Sequence, residues 1–407
     1  MGKNSANGVQ VKDRSSVLSA ARNLKMARST QAYVRGSTVK FYEWLDSSPP
    51  STLPEGPTIW ICGDCHVGNL GPVADTKGDV AIEIRDLDQT VIGNPAHDLI
   101  RLGLSLAMSA RDSDLPGVIT VKIVEQLMLG YEQVFTKAGN LVTKMEKPAA
   151  VKIAMKQGLQ RSWKQLANAR IGGSRPTIPL GKRFWPLTKA EHAAISGLFE
   201  GEDVEELKAA FRPNGGGAPI KVIDAAYWMK GCSSLGLLRY AVLIEFEEKA
   251  PHGHDLYLVD IKEAVKTAAP RDTGAKMPRD NAIRVVRGAR QLAPYLGKRM
   301  VATRMLDRPV FLRELLPQDL KLEIEQLTCN DAMIAARFLG MVVGTAHARQ
   351  MEALVRKSWH RELLRNHTKT LDAPSWLWSS VVELVVSHER AYLEHCRRFE
   401  GAVRIPM

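Results

Sequence analysis

The spacing of apolar residues divides this chain into helical ends and a strand-rich middle. Val17–Ala27 carries apolar residues at helical spacing, and Gln31–Glu43 continues that spacing around Arg35-Gly36. Two short apolar runs follow, Thr58–Cys62 and Val80–Ile84. With the polar loop Asp75-Thr76-Lys77-Gly78-Asp79 between them, they predict the two strands of a β-hairpin. Pro95–Ala110 predicts a helix. Residues 111–212 read mostly as helix, interrupted by a Gly/Pro loop at Ile171–Gly181 and an acidic tip at Glu200–Glu206. Asn214-Gly215-Gly216-Gly217 predicts a joint, and beyond it the period changes to two. Lys221–Met229, Arg239–Phe246, Leu256–Ala264, Met300–Leu306 and Val310–Leu315 predict strands, with one helix at Asn281–Leu292. Helical spacing returns at Asp331–Gln350 and Ser375–Phe399. Strands gathered in one block between helical blocks predict an α+β protein rather than an alternating, doubly wound one. The expected regions are a helical segment at 1–55, a hairpin and helical large lobe at 56–212, a β-rich small lobe at 213–325 and a helical remainder at 326–407.

Composition narrows this picture. A chain of 407 residues has room for two or three lobes and a large core. Aromatic residues make up only 6%, so aliphatic side chains must build most of that core. The apolar stretch Leu99–Ala110 contains Arg101 and is too short to span a bilayer, and the N-terminus is polar, so a cytoplasmic protein without membrane contact is expected. Five cysteines, an odd number, point to a reducing compartment rather than a disulfide framework. Cys62 and Cys65 have zinc-ligand or redox spacing. No second pair accompanies them, which favours a strand-end and a loop cysteine.

The net charge of +12 is unevenly spread. Between Lys144 and Glu191 eleven basic residues face two acidic ones, interleaved with Trp163, Phe184 and Trp185. Such a segment would dock nucleic acid or another acidic partner, or is simply a solvated helical face.

The candidate chemistry lies at the end of the predicted hairpin. Gly63-Asp64-Cys65-His66-Val67-Gly68-Asn69 leaves the first strand, and Arg85-Asp86-Leu87-Asp88 ends the second. Carboxylates and an amide converging there suit magnesium and phosphate. Far downstream, Gly231-Cys232-Ser233-Ser234-Leu235-Gly236 lies between two predicted strands, where backbone N–H groups can face phosphates. Lys262 sits late in a following strand. A Gly-rich turn, a strand and a strand-borne lysine, in that order, form the layout that covers a nucleotide in kinases.

Taken together, Asp64, His66 and Asn69, then Asp86, then Gly93-Asn94-Pro95 with Asp98-Leu99, resemble the catalytic core of aminoglycoside phosphotransferases and other protein-kinase-like enzymes. The five-residue step from Asp64 to Asn69 and the seven-residue step from Asp86 to Gly93 both match. The whole chain further resembles the bacterial domain-of-unknown-function family 2252, through Lys25-Met26-Ala27, Tyr33-Val34-Arg35-Gly36, the Gly231–Tyr240 turn, Lys262-Glu263-Ala264, Arg284-Val285-Val286 with Gly288 and Arg290, and Ala346-His347-Ala348-Arg349.

The resemblance implies a two-lobed fold that binds ATP and magnesium. Asp64 would be the catalytic base or orient the nucleophile, and His66 would brace its loop. Asn69 and Asp86 would hold magnesium, with Asp88 replacing or assisting Asp86. Gly231, Ser233, Ser234, Gly236 and Lys262 would bind the nucleotide, Arg35 would be a phosphate ligand, and Asp98 would either hydrogen-bond the catalytic loop or act at the helix N-terminus, where an acid is favoured. In ordinary kinases the Gly-rich loop and lysine precede the catalytic loop, whereas here they follow it. The helix Ala335–Ala348 resembles the one that normally leads into the catalytic loop, so a circular permutation is expected, broken between that helix and Gly63. The implied function is a phosphotransferase, and the basic excess suggests an acidic or phosphorylated substrate. The other readings are a nucleotide-binding regulator without catalysis, nucleotidyl transfer, and a polyanion-binding protein. One kinase part is missing: helix Asn281–Leu292 offers Arg284, Arg287 and Arg290 but no Glu to pair with Lys262. Glu263 would face the other side of the sheet, and Glu314 lies on a hinge-like strand.

Overall fold

The computed structural model describes residues 11–399, apart from 50–51, 76–78, 114, 137–146, 161–176, 202–203, 212–218, 247–255, 273, 316–327 and 365–373. The expected joint at 214–217 and Trp163 lie outside the described residues, as do parts of the Gly/Pro loop and of the acidic tip. The chain opens with helices α1 (Arg14–Met26), α2 (Thr30–Gly36) and α3 (Thr38–Ser47). Short strands follow, β1 (Ile59–Ile61), β2 (Leu70–Ala74), β3 (Val80–Ile84) and β4 (Val91–Gly93). Helices α4 (Ala96–Asp112), α5 (Gly117–Thr136) and α6 (Ala149–Gln160) lead to β5 (Phe184–Trp185), α7 (Lys189–Glu200) and α8 (Val204–Phe211). Then come β6 (Ile220–Trp228), β7 (Arg239–Phe246), β8 (Leu256–Glu263), α9 (Asn281–Leu292), α10 (Pro294–Gly297), β9 (Met300–Met305) and β10 (Arg308–Glu314). Helices α11 (Cys329–Ala348), α12 (Ala353–Leu364) and α13 (Ser375–Phe399) close the described chain.

Several helices begin at a side chain that takes up a free N–H group. Ser29 caps α2, Asp280 accepts from Ala282 and Ile283 to cap α9, and Thr328 caps α11. Thr188 and Glu191 form a reciprocal capping box on α7. No helix among the described residues is long and apolar enough to cross a membrane.

The fold is mixed helix and sheet, as the α+β expectation required. Strands β5-β6-β7-β8-β10-β9 form an antiparallel six-stranded sheet. One face packs Tyr240, Val242, Val259, Ile261 and Leu312 against Ile195 and Phe199 of α7 and Leu207 of α8. The other face carries Ala241, Leu243 and Leu258 with Phe184 and Trp228. The largest core joins β1–β4 and α9 to the helices α3, α4, α5, α11 and α13. Within it α5 and α11 cross at backbone contact: a methyl group at Gly340 would strike the Leu127 carbonyl, and one at Gly130 the Arg337 carbonyl.

Strand β7 and helices α9 and α13 have the predicted bounds, and the other strands of the sheet shift by a residue or two. The predicted hairpin is corrected. Val80–Ile84 pairs not with the 58–62 run but with Leu70–Ala74, directly across the five-residue loop. Gly71 and Pro72 hide that strand from a sequence reading, yet Pro72 is tolerated because both strands of a two-stranded ribbon are edges. The 58–62 run pairs instead with β4, Ile61 opposite Val91. Helix α12 and strand β5 were not foreseen. Strand β5 and helices α7 and α8 join the sheet although they precede residue 213, where the β-rich region was expected to begin.

Candidate functional site

The loop leaving β1 is held from several sides. Gly63 has φ 73°, and a Cβ there would collide with the Gln89 carbonyl, so no other residue fits this turn. Asp98, in the first turn of α4 and fully buried, accepts from the backbone N–H of Cys62 at 2.7 Å and of Gly63 at 2.9 Å. His347 of α11 lies 3.1 Å from the same carboxylate through Nε2, and its Nδ1 meets the Tyr131 hydroxyl at 3.0 Å. Trp359 Nε1 donates to that hydroxyl at 3.0 Å. The run Trp359, Tyr131, His347, Asp98 is therefore satisfied at every step with the imidazole proton on Nε2. On the other side Tyr42 donates to the Gly63 carbonyl at 2.5 Å.

These contacts present Asp64. Arg101, one turn along α4 from Asp98 and fully buried, donates from Nε to Asp64 Oδ1 at 2.9 Å and from Nη2 to the Val34 carbonyl at 2.6 Å. Asn69 Nδ2 donates to the Asp64 carbonyl at 3.0 Å. His66 Nε2 stands 3.9 Å from Asp64 Oδ2. Burial pulls the His66 imidazole down to about 4 and outweighs the nearby Asp64, so this ring is neutral at pH 7.

His97 is likewise held near 4 by burial, and His388 near 3. An unfolded chain takes up these protons below pH 6.5, while the folded chain resists them, so stability should fall as the pH drops from 6.5 toward 4. His66→Gln should flatten that decline by about 3 kcal/mol, following the downward shift of the His66 imidazole. Chemical denaturation at stepped pH checks this, and equal slopes for wild type and variant would contradict it.

The second acidic segment meets the first at the base of the β2–β3 hairpin, where Arg85 N–H donates to the Asn69 carbonyl at 2.6 Å. Beyond it, Asp86 and Asp88 both face Lys262 of β8. Lys262 is buried, lies 3.4 Å from Asp86 and forms a closer ion pair with Asp88. Burial opposes ionisation of Asp86, but Lys262 and Arg313 hold its carboxyl well below the usual range. Burial and the neighbouring Asp86 charge push Asp88 up. Lys262 is thus held by the two aspartates and not by a helical Glu. Glu263 does face away, accepting from Leu238 N–H at 2.9 Å and from Arg308 at 3.0 Å.

Helix α9 reaches the same segment through Arg284. Its guanidinium donates to the carbonyls of Thr90 at 2.5 Å, Asp88 at 3.0 Å and Val265 at 3.0 Å. It is fully buried, so it braces the 88–90 backbone and does not face the cleft.

Both halves open onto one cleft of about 560 Å³. Its walls include Arg35, Asp64, His66, Asn69, Asp86 and Asp88, and, from the turn after β6, Gly231, Ser233 and Ser234. Gly236 ends that turn and is not part of the wall, and Lys262 lies behind the aspartates it binds. Lys25, Arg183, Arg239 and Arg313 also line the cleft; Lys25 and Arg239 lay in segments resembling the family but none of the four was given a role from the sequence. Arg239 and Arg313 grip the buried Asp260 at 2.6–3.0 Å, and against the cost of burial they hold its carboxyl well below the usual range. Strand alternation carried a signal for this group, since Asp260 and Lys262 must share a sheet face.

Two expectations change here. Phe184 and Trp185 are not exposed bases for stacking nucleotides: both are buried in β5, stacked on Trp228 and Tyr227 at 5.6 Å and 5.7 Å. The basic segment around them is described only in part. Cys62, Cys65 and Asp98 place ligand atoms within 4.8 Å of one another. Both Asp98 oxygens are already engaged, however, and the hydrogen bond to Cys65 together with burial pushes the Cys62 thiol well up, so the trio is a poor zinc site.

A family model described as "Uncharacterized protein conserved in bacteria (DUF2252)" matches residues 14–398. The chain belongs to the DUF2252 family. No curated protein and no solved structure matches it. The DUF2252 match takes in every residue of the cleft wall, from Lys25 to Arg313, so the site lies wholly within the family's domain.

Proposed function

We propose that this protein is an ATP- and magnesium-dependent phosphotransferase of protein-kinase-like, two-lobed and circularly permuted architecture. One observation carries the reading. Asp64, Asn69, Asp86 and Asp88 meet the 231–234 turn around a single cleft, and Lys262 backs the two aspartates from 176 positions beyond Asp86. The permuted order is supported by the end of α11. There the Gln350 amide accepts from the Trp60 N–H at 2.9 Å and donates to the Trp60 carbonyl at 3.0 Å, so the helix abuts β1 without being continuous with it.

The oxygen donors at Asn69, Asp86 and Asp88 suit magnesium. Asp88 Oδ1 is buried with no hydrogen-bond partner, which leaves it able to face a cation. These three residues would hold the ion, which when bound offsets charge on the nucleotide phosphates. Asp64 would orient an acceptor hydroxyl and take its proton as that oxygen bonds to the γ-phosphorus and the bond to the ADP oxygen breaks. Arg101 keeps the Asp64 carboxylate in one orientation, and neutral His66 fills the loop beside it. Lys262 would exchange its aspartates for phosphate oxygens, and the N–H groups of the 231–234 turn would cover the nucleotide.

The test is turnover of γ-labelled ATP by wild type, Asp86→Asn and Lys262→Met. Asp86→Asn is expected to raise the magnesium requirement and to lower turnover by roughly 10². Magnesium dependence that is indifferent to Asp86→Asn would remove the metal assignment. Label transferred from α-labelled ATP would instead identify nucleotidyl transfer, and nucleotide binding without turnover a non-catalytic regulator.

A further inference from the structure

The acids in and behind the cleft wall each have a cationic partner. Asp64 is paired with Arg101, Asp86 and Asp88 with Lys262, and the buried Asp260 with Arg239 and Arg313. The N-terminal helices add two cations to the wall that none of these acids takes up, Lys25 of α1 and Arg35 of α2. Among the described residues Arg35 makes no hydrogen bond or ion pair, and its Nε is sealed from solvent without a partner. Lys25 donates only to the Gly231 carbonyl, at 2.6 Å. Burial lowers its ammonium, and Arg35, Arg28 and Arg239 lower it further; no carboxylate stands among the groups acting on it. A half-buried arginine with a sealed, unpartnered Nε, close to an exposed lysine on which no carboxylate acts, is an arrangement that a bound anion would stabilise.

The position of the pair says which anion. A Cβ on Gly68 would come within 2.9 Å of the Arg35 Cζ, so the guanidinium lies against the loop that carries Asp64 and Asn69. A Cβ on Gly36 would come within 3.2 Å of Cys232 Sγ, which seats α2 against the Gly-rich turn as well. The pair therefore sits between the loop of the proposed base and the turn proposed to cover the phosphates, where an acceptor must enter. It is separate from Lys262, which faces Asp86 and Asp88.

We infer that Lys25 and Arg35 form the binding site for a phosphate-type group of the acceptor. This assigns Arg35 to the acceptor instead of the nucleotide and gives the N-terminal helices a part in substrate selection. The assignment rests on the phosphotransferase reading, whereas the anion site itself does not. An arginine fork suits two phosphate oxygens at once, and a lysine supplies a point charge beside it.

The experiment titrates inorganic phosphate, at constant ionic strength, into protein saturated with a non-hydrolysable ATP analogue and magnesium. Binding is followed by calorimetry. Phosphate should bind alongside the nucleotide, and Arg35→Gln and Lys25→Gln should each weaken it by roughly ten-fold or more, the loss expected of a charged hydrogen bond. Arg35→Lys should recover part of the loss, and thermal melting confirms that the variants are folded. Phosphate and nucleotide excluding each other, or losing affinity equally in Arg35→Gln, would overturn the acceptor assignment. Phosphate affinity unchanged in both variants would overturn the site. Phosphate binding that depends on Arg35 in a protein with no affinity for nucleotide would keep the anion site and overturn the phosphotransferase reading, so the two failures are distinguishable.

Discussion

Asp64→Asn is expected to lower magnesium-dependent ATP turnover by roughly 10²–10⁴, the usual contribution of a positioned base. Nucleotide affinity should change little, because Asp64 is not among the residues proposed to hold the nucleotide. The substitution is nearly isosteric. An Asn oxygen can still accept from Arg101 Nε, which now sits 2.9 Å from Oδ1, and Asn69 bonds the backbone carbonyl of residue 64 rather than its side chain. The loop should therefore stay in place while the carboxylate is lost. Single-turnover measurements with γ-labelled ATP, alongside a binding titration, separate the two effects. Turnover equal to wild type would remove Asp64 from the chemistry and leave its bond to Arg101 as its whole role.

Asp98→Ala is expected to cost about 3–5 kcal/mol of stability, the range for removing one partner from a buried charged network. The carboxylate is fully buried and serves the N–H groups of Cys62 and Gly63 and the His347 ring together. Its loss strands two buried donors that water cannot reach, each costing about 1–3 kcal/mol. It also breaks the chain through Tyr131 to Trp359, which ties α5, α11 and α12 to the loop. Asp98→Asn should be milder but still destabilising, since an amide presents one NH₂ where two acceptors are needed. Denaturant unfolding gives the result directly. A midpoint within a few tenths of a kcal/mol of wild type would mean that the loop is positioned by other contacts.

Both residues could be read in advance, but their partners could not. Asp64, Asn69 and Asp86 lie within about one supersecondary unit, and their spacing marks them whatever the rest of the fold does. Asp98 was legible for the same reason, through its place just after Gly93-Asn94-Pro95. Its partner His347 is 249 positions away and no spacing connects them. Arg101 read only as an interruption in an apolar helix, yet it is the ion-pair partner of Asp64. Arg313, like Arg101, was one member of a large basic surplus, and Lys25 and Arg239 lay in family-like segments without a role of their own.

By itself the sequence determined the local periods, and with them most of the elements. Period two marked the strands of the main sheet, and helical spacing marked α4, α9, α11 and α13. It also determined the acids, whose chemistry depends on neighbours a few residues away. The tertiary structure alone decided pairing. It set β2 rather than β1 against β3, because strand period names a face but not a partner. It set Lys262 against Asp86 and Asp88 in place of a helical Glu, and Arg284 against backbone carbonyls. It left Lys25 and Arg35 together without an acid. A charge reveals its role only when every other charge around it is known, and those lie on segments that folding alone brings together.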